Sequence, residues 1–399
     1  MSCGLRICLV GVLSALLLGV IGCRQAALFA GAAVSQGPLR RVGNEPAGQW
    51  TFHGLDARVS PRLRPGSYPT ATRGVPFLGP SIGPHSYTFD WSERSGIVYT
   101  CRAGHVDIAH VRKGADWTGY LAALVLDHLE KGRTSFQFKQ VEPSVYHVDL
   151  TVPEYWTDLD RGQQEQIARE ISRELGQYLA WTGLTWHEIL TWFGYRFKAY
   201  KSEFPSAFSW EDSYSNLLGT HIGVAALRDE ERPFSEAVAR RLEWWLAELG
   251  VQSAQVSRQA AESVRDRWYS TGWFATKVHE RNFDVGLDDG CVTPRRIPGM
   301  AVCDAAKPKL LAVPTLDGLA RYGFTVKLEI ETKVWEEKRI LAVAYPDGGA
   351  TAKRIDPAVH FPRLIHHMER TCAAWDVSYA DAEGSVGRGI GTEDGSGVD

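Results

Sequence analysis

The chain contains no P-loop, no glycine-rich dinucleotide loop and no Gly-x-Ser-x-Gly elbow. These absences argue against the common nucleotide-dependent reactions and against an α/β-hydrolase nucleophile. A basic patch is also missing. The 44 Lys and Arg are set against 47 Asp and Glu, for a net charge of -3, and removing Arg6 with a leader takes this to -4. No nucleic-acid partner is expected from such a balance. Methionine is scarce, 3 residues against 14 Trp, and many of the Trp fall in helical stretches, where core or groove walls are the ordinary roles. A His-Glu pair occurs at His187-Glu188, but the zinc-protease signature needs a second His four residues after the first. That position is Thr191, so the signature is absent. Long apolar runs are lacking too. The one from Ile7 to Ile21 is roughly fifteen residues, short for a membrane span of about twenty.

That run suits the core of a signal peptide, with Arg6 as the charge before it. It ends Val20-Ile21-Gly22-Cys23, which resembles the bacterial lipobox, a signature whose Cys takes a diacylglyceryl group and becomes the mature N-terminus. The expectation is a leader over residues 1–22, lipidation at Cys23 and a lipidated tether over 23–48. The membrane is then a partner through acyl chains, each buried methylene adding about 0.8 kcal/mol. Arg24 stands where inner-membrane lipoproteins would typically carry Asp, which favours the periplasmic face of the outer membrane.

About 377 residues would remain, with an ordinary globular balance of 44% hydrophobic and 23% charged residues. One α+β domain is expected over 49–378, a central helical bundle with short antiparallel strands packed at its N- and C-terminal sides, followed by a disordered tail over 379–399. After Cys23 the cysteines are Cys101, Cys291, Cys303 and Cys372. An oxidising compartment permits disulfides. The loop between Cys291 and Cys303, with two prolines and a glycine, suggests a bridge between those two, and leaves Cys101 and Cys372 open.

Short strands are expected at Ser86–Asp90 and Gly96–Cys101. A helix should run from Asp116, its N-cap, to Gly132. Thr134–Lys139 and Val145–Val152 read as a hairpin. Helical spacing continues over 160–181, 185–195, 210–228, 235–249 and 253–268. Residues 269–318 read as loops, 324–332 and 339–345 as a two-stranded unit, and 361–374 as a last helix.

Polar chemistry gathers in three stretches. The first is Tyr99-Thr-Cys-Arg-Ala-Gly-His-Val-Asp-Ile-Ala-His-Val-Arg. If helical, it puts Asp107 and His110 on one face. If extended, it puts His110 with Arg112 and leaves Asp107 opposite. Either way His110 is a candidate metal ligand or general base oriented by Asp107, with Asp116 nearby. The second is the small stripe Gly176, Ala180, Gly183, His187, which lets a neighbouring backbone approach and leaves His187 beside it, with Trp186 and Trp192 as possible walls. The third is Ser209-Trp-Glu-Asp-Ser-Tyr-Ser-Asn. Here Ser209 and Asp212 suggest a capping box, and Glu211 with Ser215, and Asp212 with Asn216, form pairs four residues apart. His85 is a fourth candidate, and His366-His367 reads as surface.

Taken together, Tyr-Thr-Cys-Arg-Ala-Gly leading to Asp-Ile-Ala-His-Val-Arg, then Ala-Asp-Trp, Trp-His-Glu-Ile with Thr-Trp-Phe-Gly, and Ser-Ala-Phe-Ser-Trp-Glu-Asp with Tyr-Ser-Asn-Leu-Leu-Gly, resemble a bacterial lipoprotein family known as domain of unknown function 4056. The likeness runs from about residue 50 to 375. It supports the lipoprotein reading and the domain extent, and implies no particular reaction.

The leading expectation is an envelope hydrolase with bound zinc or another divalent metal. His110 and His187 are its ligands, with Glu188 or Glu211 as a further ligand or base. Its substrate is a small molecule or an envelope polymer. A second reading makes Cys101 a nucleophile with His110 or His85 as base. The third is a non-catalytic binding or structural lipoprotein, whose polar side chains would all be hydrogen-bonded with no open cavity among them.

Overall fold

The computed structural model describes residues 49–386, apart from 68–69, 71–74, 89, 197–203, 272–275 and 348–352. The leader, Cys23 and the tether lie outside the described residues, as does the tail from 387. Among the described residues, no helix is long and apolar enough to cross a membrane.

The fold is α+β, as expected. A hairpin of β1 (Ile97–Thr100) and β2 (Gly104–Asp107) leads directly into α1 (Ile108–Glu130). Asp107 closes the strand and caps the helix at once, its Oδ1 accepting from Ala109 N at 2.8 Å. The helix therefore starts eight residues before the expected N-cap at Asp116, which lies buried within α1. Gly132 follows the C-terminal end with φ +64°, the conformation that favours glycine there. The expected strand at 86–90 does not form, and β1 pairs with β2 instead.

The hairpin of β3 (Ser135–Phe138) and β4 (Val145–Thr151) forms as expected. Next, α2 runs unbroken from Arg161 to Trp192, 32 residues and about 48 Å long. Its start is a complete capping box, in which Gln163 N donates to Asp160 Oδ1 and Asp160 N to Gln163 Oε1. Gly183 was expected to separate two helices. An internal glycine costs only about 1 kcal/mol relative to Ala, and burial on both sides of it outweighs that.

Then α3 (Asp212–Leu227), α4 (Phe234–Glu248) and α5 (Ala254–Ser263) follow in order. The segment expected to be loops carries four very short strands, β5 (Tyr269–Thr271), β6 (Thr276–Val278), β7 (Cys291–Val292) and β8 (Leu311–Ala312), and a short helix α6 (Asp317–Arg321). The strand β9 (Thr325–Glu331) pairs with β4 and with β10 (Arg354–Ile355), giving a four-stranded antiparallel sheet in the order β10-β9-β4-β3. Residues 339–345 are not its partner. They belong to helix α7 (Glu337–Ala344), whose buried Ile340 and Ala344 are four residues apart, a helical period. The last helix, α8, starts at Pro357 and extends to Val386.

The bundle centres on α1, which packs against α2 on one side and α3 on the other. The α1–α3 crossing is made by glycines. A Cβ at Gly114 would stand 2.6 Å from Asn216 O, and one at Gly219 would be driven onto the Val111 carbonyl. Gly176 plays the same part between α2 and α1, where a Cβ would lie 2.6 Å from Ala122 N. The small stripe on α2 thus admits a neighbouring backbone at Gly176, while at Gly183 it admits the Gln140 side chain instead.

A second, smaller core collects Tyr99, Trp210, Tyr269 and the disulfide. The bridge joins Cys101 to Cys303 rather than Cys291 to Cys303. The reason lies in tertiary packing. The turn between β1 and β2 nests against the 295–303 loop, and Arg296 Nη1 donates to Cys101 O at 3.3 Å, while Cys291 is held in β7 opposite Ala312.

His105 sits in this second core, 1% exposed. Trp210 Nε1 donates to its Nδ1 at 3.3 Å, and its Nε2 lies 3.1 Å from Ser257 O, so Nε2 carries the proton. Burial lowers its pKa to about 4. Between the ordinary value near 6.5 and about 4, the unfolded chain binds a proton that the folded one does not. The contribution to stability is therefore complete above pH 6.5 and is lost as pH falls, by up to about 3 kcal/mol at pH 4. The His105→Gln variant, which keeps a donor and an acceptor but does not titrate, should lose correspondingly less over the same range. Urea midpoints measured from pH 7.5 to 4.5 test this, and equal slopes in the two proteins would refute it.

Candidate metal centre

At one end of the bundle, the first turns of α1, the C-terminal part of α2 and the start of α3 line a cavity of about 200 Å³. Each contributes a ligating side chain: His110 from the first turn of α1, Glu188 from α2 and Asp212 from the first residue of α3. One donor atom from each lies within 4.8 Å of the other two. All three are buried, at 9%, 5% and 3% exposure.

The capping of α1 places the first ligand. Asp107 caps the helix with Oδ1, and its Oδ2 accepts from Ser67 N at 2.6 Å. Its own N–H donates to Ser215 Oγ at 3.0 Å. One residue thus fixes the helix start, draws the 63–67 loop over the cavity and ties α1 to α3. His110, one turn on, has Nδ1 3.1 Å from Asp107 Oδ2 and 3.1 Å from Asp212 Oδ1. Neither contact has the direction of a hydrogen bond, so Nδ1 stands between two carboxylates without a partner. On the far side of the ring, a Cβ at Gly66 would come within 2.5 Å of Nε2, so only glycine lets the loop close there.

Burial lowers the His110 pKa to about 4, with Lys113 adding to the effect, so the imidazole is neutral, as a ligand must be. The carboxylates move the other way. Burial, then Asp212, raises Glu188, and burial raises Asp212 to about 6. Their hydrogen bonds explain how they stay in place. Glu188 Oε2 accepts from Phe208 N at 3.1 Å. Asp212 Oδ2 accepts from Ser209 N at 2.8 Å and lies 2.9 Å from Ser209 Oγ. This is the reach-back half of the expected capping box, while the Ser209 hydroxyl faces carboxylates instead of the helix backbone.

Glu211 lies behind this layer and does not line the cavity. Its Oε1 is also 2.9 Å from Ser209 Oγ. A hydroxyl has one proton and cannot donate to both acids. Burial, then Asp212, raises the Glu211 pKa well above the ordinary value. The raised pKa makes Glu211 the acid that more readily holds a proton, with Ser209 Oγ standing between it and Asp212. Glu211 supports the site and does not face its open space.

His187 lines the cavity but stands outside the group of three. Its Nδ1 meets the Glu142 carboxylate. Burial works to lower the His187 pKa, but Glu142 outweighs it and the net shift is upward, while Glu142 is held below its usual range. The two form an ion pair.

The other candidates take structural roles. His85 Nε2 lies 2.9 Å from Asp116 Oδ1, and Arg64 Nε donates to Asp116 Oδ2 at 2.8 Å. Arg64 also pairs with Glu93, and Arg112 donates to Ile82 O at 3.0 Å. This buried network binds the irregular N-terminal segment to α1. Ser215 serves Asp107, and the Asn216 carbonyl packs against Gly114. Trp186 is core, stacked on Phe361, and Trp117 is the tryptophan that lines the cavity. Cys101 is bonded to Cys303, so it offers no thiolate, and the nucleophile reading is withdrawn.

Sequence reasoning overlooked Lys113, Gln140, Glu142 and the 63–67 loop, all of which line the cavity. Lys113 carried a signal, since it stands three residues after His110 on one helix face. The others reach the cavity only through tertiary packing.

The family model described as "Protein of unknown function (DUF4056)" matches residues 85–286, just over half of the chain, and the chain belongs to that family. The match takes in all three candidate ligands and leaves out the 63–67 loop. No curated protein and no solved structure matches the chain.

Proposed function

We propose that this DUF4056 protein is a lipid-anchored envelope hydrolase whose divalent metal is held by His110, Glu188 and Asp212. The observation that carries this reading is the convergence of the three donor atoms within 4.8 Å beside an open cavity. One imidazole and two carboxylates suit zinc, and also iron or manganese. Such an ion acts as a Lewis acid and makes water nucleophilic near neutral pH. The His187–Glu142 pair stands ready to take or give a proton beside the metal. The purely structural alternative requires saturated polar groups. Against it, His110 Nδ1 and Glu142 Oε2 have no hydrogen-bond partner.

Protein purified from Arg24 onward without chelators should hold about one equivalent of metal. His110→Ala and Asp212→Ala should lose it, and His187→Ala should retain it, because that ring is committed to Glu142. Wild-type protein free of metal, and unable to take up added zinc, would refute the reading. The envelope location rests on the lipobox-like Val20-Ile21-Gly22-Cys23. A full-length Cys23→Ala variant should move from the membrane fraction to the soluble fraction, since two or three acyl chains provide the anchor. An unchanged distribution would remove the lipid from the proposal.

A further inference from the structure

A divalent ion on His110, Glu188 and Asp212 changes the charge balance of the cavity. The ion would neutralise the two carboxylates. His187 and Glu142 are paired with each other, and Arg64 is held by Asp116 and Glu93. Lys113 also lines the cavity, and among the described residues its ammonium makes no hydrogen bond or ion pair. Asp107 is a further carboxylate against His110 but does not line the cavity, so among the lining side chains one positive charge, that of Lys113, has no partner.

Hydrogen-bonding capacity points the same way. Thr191 is 3% exposed and its hydroxyl has no partner, and the buried Nε2 of Gln140 has none either. Both residues line the cavity. Buried polar groups are normally satisfied, so two open donors in one cavity mark where acceptor oxygens belong. They stand along one face of α2. The Gln140 amide lies against Gly183, where a Cβ would be 2.6 Å from its Cδ, and Thr191 is two turns further on. A cavity of about 200 Å³ is smaller than the ~300–1,000 Å³ typical of whole small-molecule sites, so it takes the head of a substrate.

We propose that this cavity binds an oxyanion, a carboxylate or a phosphoryl group, between the metal and Lys113, with Gln140 and Thr191 donating to its oxygens. The substrate class is therefore an anionic envelope component. This rests on the metal reading, and the experiment separates the two. Wild-type, Lys113→Met and Thr191→Val proteins are loaded with Zn²⁺, and bound zinc is measured first. Methylphosphonate and acetate are then titrated in by calorimetry. Zinc content should be the same in all three. Wild type should bind at least one anion, Lys113→Met about ten- to a hundredfold more weakly and Thr191→Val severalfold more weakly. Preference for methylphosphonate assigns a phosphoryl group, and preference for acetate assigns a carboxylate. Zinc bound with no anion binding at ~10 mM, or equal binding by Lys113→Met, overturns the anion site and leaves the metal reading intact. Failure to bind zinc is seen in the first step and removes both.

Discussion

The Gly219→Ala variant is expected to lose about 3–5 kcal/mol of stability, placing it among the most damaging single substitutions the fold can suffer. The added Cβ would be driven onto the Val111 carbonyl oxygen and would stand 2.9 Å from Gly114 Cα. Both are backbone, so neither can rotate away, and α1 and α3 must move apart. Total stability for a domain is about 5–15 kcal/mol, so a large part of the margin would go. The same crossing sets the 3.1 Å between His110 Nδ1 and Asp212 Oδ1, each on the element that would shift. Metal affinity should therefore fall together with stability. Gly183→Ala provides the contrast. Its Cβ would meet only the Gln140 amide, the far end of a flexible side chain, and alanine improves helix propensity by about 1 kcal/mol. Urea unfolding and zinc titration of both variants give the answer. A mild effect at 219, or equal effects at the two positions, would show that the crossing is not the constraint.

The Glu188→Gln variant is expected to gain stability and lose metal. In the metal-free protein, Glu188 is buried beside Asp212, and burial first, then that neighbour, raises its pKa. A raised carboxylate favours folding fully below its ordinary value near 4.3, and that contribution is lost as pH rises through the folded value. Gln keeps an acceptor for Phe208 N and removes the charge. At pH 7 the metal-free variant should be more stable by about 0.5–2 kcal/mol, the usual gain from relieving a functional site. The advantage should shrink as pH falls toward 4. Zinc affinity should drop by more than ~100-fold, since even a residue that merely supports a ligand costs 10–100-fold. A variant less stable than wild type at pH 7 without metal would mean that Glu188 is a structural acceptor whose charge is not strained.

The two predictions share a cause that was only partly visible in the linear order of residues. His110 and Glu188 were legible as candidates because each belongs to a polar cluster inside an apolar, periodic stretch. Asp212 was legible as a first-turn carboxylate, but helix capping alone would account for it, and nothing in its spacing tied it to positions 102 and 24 residues earlier. The α+β class, the β3–β4 hairpin and helices α3, α4 and α5 followed from periodicity, a local property, and so did α2 apart from the break expected at Gly183. The start of α1 did not, because Asp107 ends a strand and caps a helix in the same residue, and strand and helix readings of 99–112 remained equally open.

Local chemistry therefore determined the helical character of the central segments from 160 to 263, and that several acids and histidines would be buried. Tertiary structure decided the rest. It brought Cys303 to Cys101, 202 residues away, instead of to Cys291. It gave His187 to Glu142, and it gathered Asp212, Lys113 and the 63–67 loop around His110. The physical reason is that a side chain's partners depend on how closely two helices can approach. That distance is set here by Gly114, Gly176 and Gly219, three residues whose contribution is the atoms they lack.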